Sequence, residues 1–191
     1  MTNYWLITYS SKPYKKLDLL RSCVVILEAT LNNEGSKHSI ESPPLSMLQY
    51  LSLDGKTLNM QKLRNGWVQS LTSLNHLELW EFSSQIFLEI GNWFKDDHNY
   101  LPSLRNIEFH DCLDMKALPD WICKLSSLQH VTIKHCANLA SLPEGMPCLA
   151  KLQTLKIFGC NLLIEECETQ TSATWPKIAH IPNIILKKTN Y

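Results

Sequence analysis

At 191 residues and 22.0 kDa the chain has the length of one domain and enough material to bury a large core. Hydrophobic residues make up 45% and charged residues 19%, a globular composition that excludes wholesale disorder. Lys+Arg and Asp+Glu balance at 18 each, so the phosphate-gripping charge excess of a nucleic-acid binder is missing.

Self-similarity organises the rest of the reading. Residues 1–44 carry it most weakly. Leu19, Val25 and Leu27 fit the pattern described below, one repeat ahead of Leu45; Trp5 and Ile7 could form an earlier strand, and Ser22 breaks the skeleton. These residues are expected to be one or two degenerate repeats, closed by the polar loop Asn32–Ser39 and by Pro43-Pro44. Tyr4–Tyr9 has neither the basic flank nor the small-residue cleavage site of a secretory signal. An apolar run such as Val24–Leu27 is far short of the ~20 residues that cross a bilayer.

From Leu45 onward five segments share a Leu-x-x-Leu-x-x-Leu-x-Leu skeleton, beginning at Leu45, Leu71, Leu101, Leu125 and Leu149. The step between these first positions is longest from Leu71 to Leu101 and is the same for the last two. In the last three units a cysteine (Cys112, Cys136, Cys160) falls at one fixed distance beyond the first Leu. Each unit reads as a leucine-rich repeat: the final Leu-x-Leu is a short strand with alternate residues inward, the Cys position turns the chain, and the remainder returns as loop or short helix. No unit can bury its leucines alone, so stacking makes one continuous core. The longer second unit needs extra chain, and Ser83–Tyr100, with Ile86, Phe87, Leu88, Ile90, Trp93 and Phe94, is predicted to fold into a convex helix before the polar Lys95–Asn99 turn. Beyond Cys160, residues 161–191 are expected to cap the last repeat: Trp175, Ile178, Ile181, Ile184 and Leu186 cover its core, while Pro176 and Pro182 blunt further strand pairing. The predicted architecture is an α/β leucine-rich-repeat solenoid, with a parallel concave sheet and loops and short helices on the convex side. Its divisions are 1–44, 45–160 and 161–191.

On such a concave strand the residues between and flanking the two inward leucines face solvent. They are Tyr50, Ser52 and Asp54; His76, Glu78 and Trp80; Asn106, Glu108 and His110; His130, Thr132 and Lys134; and Thr154, Lys156 and Phe158. Large rings on this surface are candidate anchors, because aromatic side chains bury much area at low entropic cost. The alternative is that the same rings pack across strands and merely solvate an exposed sheet. The charge drifts from Asp54, Glu78 and Glu108 to Lys134 and Lys156, which would orient a partner of complementary polarity.

Seven cysteines, an odd number, and the lack of any Asn-x-Ser/Thr sequon point to a reducing interior, so a cytoplasmic protein is expected. His110, Cys112, His130, His135 and Cys136 invite a metal reading, but zinc usually takes tight Cys-x2–4-Cys pairs and these cysteines come one to a repeat. The repeat explains them better: Cys112, Cys136 and Cys160 are expected to be a structural ladder capping backbone groups where the strands turn. Cys23, Cys123, Cys148 and Cys167 have no assigned role. No metal and no cofactor are expected, and no nucleophile–base–acid arrangement argues for an enzyme.

The stretches Leu101-Pro-Ser-Leu-Arg-Asn-Ile-Glu-Phe-His-Asp-Cys112, Leu118-Pro-Asp-Trp-Ile122, Leu125-Ser-Ser-Leu-Gln-His-Val-Thr-Ile-Lys-His-Cys136 and Leu142-Pro-Glu-Gly-Met146 resemble the terminal repeats of plant intracellular nucleotide-binding leucine-rich-repeat disease resistance proteins. Trp175-Pro-Lys-Ile-Ala-His-Ile-Pro-Asn-Ile184 resembles the closing segment of the coiled-coil class of that family. The likeness spans roughly residues 45–187. It implies a non-catalytic, monomeric protein-recognition module whose partner is a pathogen effector, a guarded host protein or a nucleotide-binding domain, with no nucleic acid or membrane involved. A phosphate-cradling loop needs Gly-x-x-x-x-Gly-Lys-Ser/Thr; Gly55-Lys56-Thr57 imitates its end, but Tyr50 stands where the first Gly is required. The chain is therefore read as a truncated member, without the nucleotide-driven signalling of the family. The runner-up is a generic repeat scaffold or substrate adaptor, for instance of the ubiquitin-ligase type.

Overall fold

The computed structural model describes residues 45–56, 67–92, 101–169 and 172–189. The degenerate repeats expected in 1–44, with Cys23, and the helix residues Trp93 and Phe94 lie outside the described residues.

Six parallel strands form one sheet in strict chain order: β1 (Tyr50–Asp54), β2 (His76–Trp80), β3 (Asn106–His110), β4 (His130–Lys134), β5 (Thr154–Phe158) and β6 (Asn183–Lys187). This is the leucine-rich-repeat solenoid of the sequence reading. At about 4.8 Å per strand the concave sheet is roughly 24 Å across. The first five strands pair without slippage, so that Leu51, Leu77, Ile107, Val131 and Leu155 form one rung, and Leu53, Leu79, Phe109, Ile133 and Ile157 the next. Both rungs are buried. One residue of slip would turn either rung to solvent, which is why the register is so strictly kept.

The Leu-x-x-Leu that opens each repeat has a geometric cause. In every unit the second Leu donates its N–H to the carbonyl of the first, at 3.1 Å (Leu48–Leu45), 3.3 Å (Leu74–Leu71), 3.0 Å (Leu104–Leu101), 3.0 Å (Leu128–Leu125) and 2.9 Å (Leu152–Leu149). The tight turn points both side chains into the core. At the other end of the strand the chain must bend sharply. Glu81, Asp111, His135 and Gly159, each the residue just after its strand, take φ of 53°, 54°, 55° and 65°. Their N–H groups, and that of Gly55 in the first repeat, donate to the last strand carbonyl of the following repeat at 2.8–3.0 Å. The strain of a left-handed residue is thereby met by a bond linking successive coils.

On the convex side, helix α1 (Ser84–Gly91) is capped by Ser83, whose side chain accepts from the Ile86 N–H, as expected for the inserted segment. It buries Phe87 and Ile90, and Phe87 lies between Phe82 and Phe109, tilted against both rings with centroids 5.4 and 5.9 Å away. Leu88, another apolar residue of that segment, is 69% exposed. Helix α2 (Asn161–Glu168) buries Leu163, Ile164 and Cys167, and the short α3 (Trp175–Ile178) buries Ile178. Lys177 reaches back to the Leu142 carbonyl at 2.9 Å and to Glu144 at 2.7 Å.

The C-terminal segment corrects one expectation. Pro176 and Pro182 do not blunt pairing, because Pro182 precedes the first residue of β6 and its missing N–H falls outside the ladder. Asn183 donates to the Gln153 carbonyl at 3.0 Å, and β6 continues the β5 register with Ile184 beside Leu155 and Leu186 beside Ile157. Both are partly buried against the core.

Candidate functional site: the polar lattice of the concave face

Each strand contributes three concave positions, and the common register aligns them into three rows. The middle row is Ser52, Glu78, Glu108, Thr132 and Lys156. It places Glu78 directly beside Glu108, an arrangement of like charges that costs stability unless neighbours compensate. They do. Glu78 Oε2 accepts from Trp80 Nε1 at 3.0 Å and from Ser52 Oγ at 3.5 Å. Glu108 Oε2 accepts from His110 Nε2 at 3.0 Å and from Lys134 Nζ at 2.9 Å. Burial alone would raise the Glu78 carboxyl, but the imidazole of His76 and the donors on Tyr50 and Trp80 outweigh it and hold it at about 2. The His110 hydrogen bond, opposed by burial and reinforced by Lys134, likewise holds Glu108 at about 2. Both are carboxylates at neutral pH. Burial and the neighbouring Glu78 carboxylate push the Tyr50 phenol up.

Rings fill the flanking rows. Trp80 and His110, register partners, stack at 3.9 Å with planes 11° apart, and Tyr50 stacks on His76 at 4.9 Å and 24°. The indole therefore has its ring fixed by one residue and its N–H by another. Asn106 Nδ2 donates to Asn75 Oδ1 at 3.1 Å, and Phe158 lies beside Lys134 in register.

Three of the residues expected to face solvent do not. His110 is 6% exposed, Thr132 8% and Thr154 9%. His110 is roofed by the Trp80 indole. Thr132 sits between the longer Glu108 and Lys156, and Thr154 between His130 and Asn183. A short side chain in such a row is covered by its neighbours although its strand face is the open one. Tyr50, Asp54, His76, Glu78, Trp80, Asn106, Glu108, His130, Lys134, Lys156 and Phe158 are half-buried. The charge gradient is also partly cancelled within the face, since Lys134 is tied to Glu108.

Cys112, Cys136 and Cys160 lie beyond the strands, in the core. Cys112, Cys136 and Cys160 each direct their thiol to the carbonyl two residues back, the end of their own strand, at 3.4, 3.5 and 3.4 Å. The Cys136 N–H donates to Cys160 Sγ at 3.3 Å, joining consecutive rungs. Contact with Cys112, reinforced by burial, pushes the Cys136 thiol up to about 12. Cys112 and Cys136 thus face the interior while His110 and His130 belong to the sheet's other surface, so the five residues weighed for a metal do not converge. Among the described residues, His76, Glu78 and Glu108 are the group whose ligand atoms lie together, all within 4.8 Å. That Glu78 and Glu108 hold the same place in successive repeats was visible in the spacing; their convergence on His76 was not.

Among the described residues no helix is long and apolar enough to cross a membrane. No protein-family model matches the chain, and no curated protein matches it. Among solved structures the chain is similar to the leucine-rich repeat domain of the type III effector XopL, at 17% identity and a TM-score of 0.42 over 95% of this chain. The chain spans 64% of the length of that structure.

Proposed function

We propose that the concave face is a protein-recognition surface, with Trp80 as its principal anchor. The observation that supports this is the rigid mounting of Trp80: ring stacked on buried His110, N–H held by Glu78, and the outer face half-open. A preorganised indole loses little freedom on binding, and such residues carry most of the energy of protein interfaces. The finer reading follows the sequence resemblance. The module acts as the sensing and restraining repeats of a plant immune receptor do, and its partner is an effector, a guarded host protein or a separately encoded nucleotide-binding domain.

The test is titration of the full chain against a separately expressed nucleotide-binding domain of a coiled-coil-class receptor. Trp80→Ala is expected to cost about 2 kcal/mol, roughly thirtyfold in Kd. Its melting should fall modestly but stay cooperative, since the stack on His110 and the N–H bond to Glu78 are lost while the buried rungs of the core stay packed. Equal affinity of the wild type and Trp80→Ala rejects this face, and no binding by the wild type rejects that partner.

A further inference from the structure

One ring nitrogen in the concave lattice stops short of a hydrogen bond. His76 Nε2 is buried and has no hydrogen-bond partner. It points between two carboxylates, 3.6 Å from Glu78 Oε1 and 3.6 Å from Glu108 Oε1. A hydrogen bond to either would draw the pair to about 2.9 Å. Two equal separations of 3.6 Å are too long for that. They are close to the spacing of ligands around one ion: with metal–ligand bonds of ~2.1 Å, two tetrahedral ligands stand about 3.4 Å apart.

The hydrogen bonds divide the oxygens in the same sense. Trp80 and Ser52 donate to Oε2 of Glu78, and His110 and Lys134 donate to Oε2 of Glu108. Both Oε1 atoms are turned to the imidazole. Ligating carboxylates in metal sites are oriented in this way, by hydrogen bonds from the surrounding shell. The ring of His76 is steadied by its stack on Tyr50. One borderline imidazole with two hard carboxylates is a donor set that zinc accepts, and the ion would supply the missing partner of Nε2 while adding positive charge between Glu78 and Glu108.

We propose that His76 Nε2, Glu78 Oε1 and Glu108 Oε1 form a three-ligand site for a divalent transition metal, with Zn2+ the best fit, whose remaining position opens onto the concave surface. The site needs no protein partner to fill and is tested without one. The full chain, stripped with chelator, is titrated with ZnCl2 by calorimetry and with CoCl2 by visible absorption. One zinc per chain is expected at this site, with a cobalt spectrum lacking thiolate-to-metal charge transfer. His76→Ala and Glu78→Gln should each weaken zinc binding by at least ~10–100-fold, the range seen even for lost supporting residues. Glu78→Gln is isosteric and decides the matter if His76→Ala disturbs the Tyr50 stack. The proposal is overturned if the stripped chain takes up no zinc, if affinity survives Glu78→Gln unchanged, or if the cobalt spectrum shows thiolate ligation that both variants retain.

Discussion

Gly55 and Gly159 occupy the same repeat position, directly after the first and fifth strands, yet the same substitution should cost different amounts there. A Cβ on Gly55 would stand 2.7 Å from the Glu81 carbonyl oxygen and 2.8 Å from Phe82 Cα. Both are backbone atoms of the next coil. Ordinary contacts begin near 3.3 Å for carbon on oxygen and about 3.5 Å for carbon on carbon, so that coil must retreat by ~0.6–0.7 Å. It cannot do so freely, because Phe82 is fully buried and the Trp80 carbonyl accepts the Gly55 N–H at 2.8 Å. Overpacking of about 1–3 kcal/mol plus a weakened backbone bond of about 1 kcal/mol gives a loss of roughly 2–4 kcal/mol for Gly55→Ala. At Gly159 the clash is 2.7 Å to His135 Nδ1, an exposed ring that can swing aside about χ1. What remains is a tight 3.3 Å contact with the Thr189 Cγ2 methyl and the left-handed φ of 65°, which Glu81, Asp111 and His135 show a side chain can adopt. Gly159→Ala should therefore cost only ~1–2 kcal/mol. Urea midpoints followed by far-ultraviolet circular dichroism measure both. A Gly159 variant as damaged as the Gly55 variant, or more so, would refute the reasoning.

Two further outcomes are expected. Lys177→Ala should lose about 1–2 kcal/mol by leaving the Leu142 carbonyl without its donor, whereas Glu144→Ala, at the 90%-exposed end of the same ion pair, should stay within ~0.5 kcal/mol; thermal melts of the two variants compare them. Burial, helped by Glu166 and Glu168, pushes the Cys167 thiol from 9.0 up to about 12. Between those values the folded chain keeps a proton that the unfolded chain has lost, so the contribution is full below pH 9.0 and declines as pH rises towards about 12. Cys167→Ala should flatten the alkaline arm of stability against pH by up to about 1.4 kcal/mol per pH unit, read from denaturation series at stepped pH.

The inward leucines announced the fold because the repeat forces them into one place. A side chain at Leu77 or Leu155 has nowhere to go but the shared core, so spacing alone locates the strand and its register. The sheet's last member was hidden by treating Pro182 as a stop. Proline interrupts a ladder where an N–H is needed, and position 182 lies just ahead of the first such donor, Asn183. On the concave face alternation located the strand positions but not their exposure. Whether Thr132 is open depends on the lengths of Glu108 and Lys156 beside it, which belong to the neighbouring repeats on either side. The turning of His76 towards two carboxylates is a matter of rotamers, and no spacing rule carries it.

The slip-free pairing of consecutive coils has an evolutionary consequence. Excising positions 125–148 would join Lys124 to Leu149 and bring β5 against β3 with the same aliphatic partners, since Leu125 and Leu149 open successive repeats at the same place. Duplicating that block would lengthen the stack without redesigning either neighbour. Length in such a molecule is a heritable variable that unequal recombination can adjust one coil at a time, shifting what the concave surface spans while leaving the manner of folding untouched.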